Sequence, residues 1–91
     1  MEFEWHPDKA ASNFQKHGVA FQEAATVFGG ALSLTFPDLD HSVGEERCIT
    51  IGISQLAQLL VVSHTDQGDR IRILSARRAT RQEQRFYEED S

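Results

Sequence analysis

The sequence is poor in cysteine, in proline and in positive charge, and each shortage excludes something. Cys48 stands alone, so no disulfide can close within the chain, as expected for a reducing compartment. No apolar run approaches the length of a membrane span. The opening residues, Met1 to Lys9, are acidic and aromatic and do not read as a signal peptide. A cytoplasmic location is therefore expected. Lysine and arginine number 9 against 14 aspartates and glutamates, a formal net charge of -5. That balance argues against indiscriminate binding to nucleic acid. The chain has two prolines, Pro7 and Pro37, and no internal repeat or low-complexity linker. With 91 residues, 40% of them hydrophobic and clearly periodic, one folded domain spanning 1–91 is expected.

The positive charge that is present is concentrated. Arg70, Arg72, Arg77, Arg78, Arg81 and Arg85 are six of the nine lysines and arginines, and only Glu83 opposes them within that stretch. Ile71 and Ile73 alternate with Arg70 and Arg72, which predicts a strand. Thr80-x-x-Glu83 predicts a capping box, in which Thr80 accepts from the Glu83 amide and Glu83 reaches back to the Thr80 amide. Arg81 then falls in the first helical turn, where unpaired N–H groups and partial positive charge suit a phosphate. Two readings fit this charge. One is a surface for an anion or RNA. The other is a solvated basic helix, with Arg81 and Arg85 paired to Glu88 and Glu89.

Earlier in the chain, Phe3-Glu4-Trp5 reads as a short strand. Pro7 opens a helix at its first position, and Gly18 is the expected residue just past its end. Lys16 and His17 fall in the last turn, where positive charge suits the helix dipole; an RNA contact is the other reading. Phe21, Ala24, Ala25 and Phe28 form an apolar stripe of a second helix, ended by Gly29 and Gly30. Leu32 to Phe36 and Arg47 to Ile53 alternate as strands, Gly52 marks a bulge or a close backbone approach, and Leu56 to Thr65 is a longer, more apolar strand that suggests a central place in the sheet. Asp38-x-Asp40-His41 has metal-ligand residue types at an unspecific spacing, so a solvated loop is expected, with no metal and no cofactor. The order is strand, helix, helix, four strands, helix. Short turns make the strands an antiparallel meander with the two helices on one face, an α+β class.

The turn before Asp69 sets who faces whom. A three-residue loop with Gly68 left-handed pairs Thr65 with Asp69, and His64 then shares a surface with Arg70 and Arg72. A two-residue Gln67-Gly68 loop turns His64 to the core but sets Asp66 opposite Asp69, so the first is favoured. By strand parity Arg77 falls on the Ile71 face unless the strand ends first.

Phe3-Glu4-Trp5 before a Pro-led helix, Lys16-His17-Gly18, Phe21-x-Glu23-Ala24-Ala25 and, most specifically, Ile71 to Thr80 with Glu83 and Tyr87 together resemble the BrnT family. The resemblance covers nearly the whole chain. It implies a RelE-like fold and a bacterial type II toxin that cleaves RNA and stops translation. It also implies a cognate BrnA-type antitoxin with a ribbon-helix-helix-like domain, through which alone DNA is bound. One departure is His6, where an aspartate is usual at the cap of the first helix.

RNA can be cut without metal when its 2′-OH attacks the adjacent phosphate. This needs a base, cations for the phosphorane charge, and an acid for the leaving oxygen. Arginine stays protonated and suits bidentate charge stabilisation, so Arg72, Arg77 and Arg78 are assigned to the phosphate. His64 is the acid–base candidate by residue type. Glu83 is a possible base already explained by capping. Lys16, His17, Arg70 and Arg81 are candidate RNA contacts, and Tyr87 either stacks on a base or packs onto the sheet. Trp5 reads as core or interface. A non-catalytic RNA- or protein-binding module using the same arginine surface is the alternative.

Overall fold

The computed structural model describes residues 1–39 and 46–90. Its elements are β1 (Glu2–Glu4), α1 (Pro7–His17), α2 (Phe21–Thr26) leading into a 3₁₀ turn (Val27–Gly29), β2 (Leu34–Pro37), β3 (Arg47–Ile53), β4 (Leu59–Asp66), β5 (Arg70–Arg78) and α3 (Arg81–Asp90). Local chemistry sets the ends of α1. The His6 ring nitrogen Nδ1 accepts from the Asp8 N–H at 3.1 Å, so an imidazole supplies the cap where a carboxylate is usual. At the other end Gly18 takes φ 71°, and its N–H bonds the Phe14 carbonyl at 2.8 Å.

Strands β2 to β5 form the expected antiparallel meander. β1 departs from it by running parallel to β5, with Glu2, Phe3 and Glu4 opposite Arg70, Ile71 and Arg72. The sheet is therefore mixed, in the order β1-β5-β4-β3-β2. A parallel neighbour needs a long crossover, and the two helices and the meander supply it. β1 stops at the Glu4–Arg72 pair, and α1 lies against the rest of the β5 edge.

Both faces of the sheet carry apolar clusters. α1 and α2 cover one face, over Leu60, Val62, Ile71, Ile73 and Ala76, with Trp5 edge-on to Phe21 at 5.9 Å. On the opposite face α3 places Tyr87 against Ile51 and Val61. That second face is thus covered by α3 at one end. A Cβ on Gly52 would lie 2.9 Å from Val27 Cγ1 and 3.1 Å from Ser33 Cβ, the close approach its position suggested.

The turn from β4 to β5 overturns the expected register. Gln67 N–H bonds the Arg70 carbonyl at 2.8 Å, so the two central residues are Gly68, at φ 84°, and Asp69. This turn keeps Asp66 away from Asp69 and pairs Asp66 with Ile71, Thr65 with Arg72 and His64 with Ile73. His64 consequently faces the α1/α2 core and not the arginines. The pairing then slips. Ser63 opposes Ser75, so Leu74 is left over as a bulge, and Val61 and Leu60 oppose Arg77 and Arg78. The bulge reverses parity, against expectation. Arg77 comes onto the Arg72 face, and Arg78 goes to the Ile71 face.

Among the described residues no helix is long and apolar enough to cross a membrane, and no group of three or more His, Cys, Asp or Glu could hold a metal ion. Asp40 and His41 of the weighed metal motif lie outside the described residues.

Candidate nucleic-acid interface

On α1, Lys9, Ser12, Asn13, Lys16 and His17 recur at i, i+3, i+4, i+7 and i+8, one polar stripe of a helix. The stripe meets the β5 edge where β1 has ended. Asn13 is buried there. Its Nδ2 donates to the Ala76 carbonyl at 2.8 Å and to the Val19 carbonyl at 2.9 Å, and its Oδ1 accepts from the Ala76 N–H at 3.0 Å. The side chain takes the place of a strand on that edge. Around it Lys9, Lys16 and His17 line a shallow cleft with Asp8, Leu74 and Ser75. An adjoining cleft is lined by Lys9, Arg47, Arg72 and Leu74. Lys9 and the bulged Leu74 are common to both, so two basic clefts join along the strand edge.

Glu4, opposite Arg72 on β1, pairs with that cation and with Arg70 beside it. It lies 3.3 Å from Arg72 and 3.9 Å from Arg70. All three groups are partly exposed, so the pairs add little stability but hold Arg72 in place.

Further along the same sheet face, Arg77 forks onto Glu83 with bonds of 2.8 and 3.0 Å. Glu83 Oε1 also accepts from the Thr80 N–H at 2.8 Å, while Thr80 Oγ1 accepts from the Glu83 N–H at 3.1 Å. The capping box is therefore bolted to β5 by an arginine. The Arg77 guanidinium, aided by the Thr80 amide and opposed by burial, lowers the Glu83 carboxyl to about 2. The same fork raises Arg77. A carboxylate so far depressed is a weak base, which leaves Glu83 its cap and its ion pair. Arg72 and Arg77 are five positions apart, about 15 Å along a strand, and so address different parts of any bound chain.

Three sequence assignments change. His64 is 4% exposed, with Nε2 2.7 Å from Thr50 Oγ1 and its ring edge-on to Phe28 at 4.8 Å. Burial pushes its imidazole below the ordinary histidine value, with Asp66 partly opposing. Tyr87 is 6% exposed, so its ring packs in the core and does not stack on RNA; Phe86 beside it is the exposed aromatic. Arg78 is exposed, but the bulge separates it from Arg72 and Arg77. Arg81 is exposed at the start of α3. Sequence reasoning missed Lys9, Glu4, Arg47 and Asn13. The Lys9 to His17 stripe was the available signal for the first and last of these.

His64 makes stability depend on pH. Its folded value lies below its unfolded value, so the unfolded chain binds the proton more readily. The stabilisation is present above the ordinary imidazole range and is lost as pH falls through it. Urea melts are expected to show lower stability at pH 5.5 than at pH 7.5, with a smaller difference in His64→Gln.

A family model described as ribonuclease toxin, BrnT, of type II toxin–antitoxin system matches residues 5–83. Among solved structures, the crystal structure of the Brucella abortus ribonuclease toxin BrnT matches with a TM-score of 0.70 at 21% identity. The match covers 89% of this chain and 99% of that one. At that identity the likeness is one of fold. A search of curated proteins finds no match.

Proposed function

This chain belongs to the family of BrnT ribonuclease toxins of type II toxin–antitoxin systems, and we propose that it is an endoribonuclease that cuts RNA without metal and so inhibits translation. The observation that carries the reading is the basic strand edge, Lys9, Lys16 and His17 joined to Arg72 across Leu74, in a chain of net charge -5. Lys9, Lys16, Arg47 and Arg72 outnumber Asp8 and Glu4 in the lining of the joined clefts, a local positive excess that favours an anionic ligand over the rest of the surface.

In this reading the 2′-OH attacks the adjacent phosphorus. The O2′–P bond forms, the P–O5′ bond breaks, and a 2′,3′-cyclic phosphate and a 5′-hydroxyl remain. Arg72 and Lys9 stabilise charge on the phosphorane oxygens. His17 supplies the imidazole for proton transfer, a part His64 cannot take from within the core. Arg70 and Lys16 hold flanking phosphates, and Arg77 and Arg81 hold the chain further along, towards α3.

The family's type II character implies an antitoxin. We infer a BrnA-type partner, ribbon-helix-helix-like, whose docking segment brings acidic residues to the arginine surface. The acidic toxin then reaches DNA only through that partner.

Cleavage of single-stranded RNA by the purified protein is expected to persist in excess EDTA. Activity lost in chelator and restored by one divalent ion contradicts the metal-free reading.

A further inference from the structure

A further cleft lies on the Arg77 face, and of its lining only Arg77 enters the proposed function. It is about 410 Å³ in volume and opens between α3 and the sheet. Ile49 and Ile51 form its floor, Phe36 and Phe86 its aromatic wall, and Arg77 and Gln82 its polar rim. Phe86 is 43% exposed, and its ring lies 5.6 Å from that of Phe36 at 67°. Its neighbour Tyr87 already anchors α3 to the sheet, so the Phe86 ring is not needed for that packing. The Arg77 fork is engaged by Glu83, which leaves a fixed, charge-balanced plane at the rim. The exposed Gln82 carboxamide makes no hydrogen bond within the described residues and carries both donor and acceptor. Arg81 follows Thr80 at the start of the same helix.

We propose that this cleft takes one unpaired nucleobase of the RNA, stacked on Phe86, with its hydrogen-bonding edge at Gln82 and its phosphate near Arg81. The proposal rests on the ribonuclease reading and adds to it a determinant of which nucleotide is chosen. The combination of surfaces fits a base better than a protein side chain. A base offers a flat apolar face to Phe86 and the cleft floor together with a polar edge that the donor and acceptor of Gln82 can both meet, whereas an apolar side chain answers the floor alone. Arg81, exposed and next to Gln82 on α3, is the cation proposed for the phosphate attached to that base, since Arg77 is already paired with Glu83.

The probe is a set of 2′-fluoro RNA hexamers, uncleavable by 2′-OH attack, each with one abasic position. Binding is read by fluorescence anisotropy. In the wild type, removing the base at one position is expected to weaken binding about 10-fold, as losing one aromatic stack does. Phe86→Ala is expected to flatten this scan, Phe86→Trp to restore it, and Gln82→Ala to alter the ranking of the four bases at that position. A flat scan in the wild type overturns the proposal, and so does a position dependence unchanged in Phe86→Ala. Phe86→Ala that weakens only the antitoxin complex overturns it in favour of a protein anchor. If Phe86→Ala fails to fold, the wild-type scan and Gln82→Ala decide. A wild type that discriminates among hexamers but leaves natural RNA intact fails the ribonuclease reading alone. Cleavage with a flat scan fails the base slot alone.

Discussion

Replacing Asn13 with alanine is expected to lower stability by about 3–5 kcal/mol, because three buried backbone groups lose their partner together. Asn13 is 7% exposed and binds the Ala76 N–H, the Ala76 carbonyl and the Val19 carbonyl. A leucine of similar size would fill the space and leave the same groups unpaired. Asn13→Asp should also fail, since it keeps the acceptor, loses both donors and sets a carboxylate against two carbonyls. Urea melts of Asn13→Ala measure the effect, and a loss under about 1 kcal/mol would show that water or a local shift replaces the amide. The clamp grips Ala76, between the Leu74 bulge and Arg77, so the variant should also lose RNA cleavage below its melting temperature.

The second large effect is expected in catalysis. Arg72→Ala should slow RNA cleavage about 100-fold, the usual loss for one charge-stabilising contact in the transition state. Arg77→Ala should slow it less, since Arg77 sits about 15 Å along the strand and its main partner is Glu83. Arg78→Ala should stay within about threefold, as expected for a charge remote from the reacting phosphate. Strand parity alone gives the opposite ranking, with Arg72 and Arg78 together and Arg77 apart. Single-turnover rates for the three variants, each checked by circular dichroism, separate the bulged strand from a regular one. Equal losses in Arg72→Ala and Arg78→Ala would contradict the bulge as the organiser of the site.

These rankings show where the sequence is legible. Helix α1 begins at Pro7 and ends at Gly18, and α3 opens on Thr80 and Glu83, because caps are decided by residues within four positions of each other. The Ile49/Ile51 and Leu60/Val62 alternation is legible for the same reason, since strand periodicity is local. The Leu74 bulge is not. Asn13, 63 positions away, grips Ala76 just past it, and no window of sequence contains both. Arg77 changes face because of the bulge, and His64 because the turn centres on Gly68 and Asp69, one residue beyond the Gln67-Gly68 alternative. The parallel pairing of β1 is likewise tertiary, as its partner strand lies at the other end of the chain. Leu56, read as the start of a strand, instead sits in the turn before β4, where Ala57 takes φ 61° and the Ser54 N–H reaches the Gln58 carbonyl at 2.8 Å. The basic edge was half legible. Arg70 and Arg72 announce it by density, while Lys9 and Arg47 join it only through packing.

We assign metal-free RNA cleavage to the basic edge around Lys9, His17 and Arg72. The most direct test is the end-group chemistry of RNA cut in EDTA by the wild type and by His17→Ala and Arg72→Ala. Fragments ending in 2′,3′-cyclic phosphate, formed by the wild type and lost about 100-fold in both folded variants, are the predicted result. Fragments ending in a free 3′-hydroxyl, or cleavage by both variants at the wild-type rate, would contradict it.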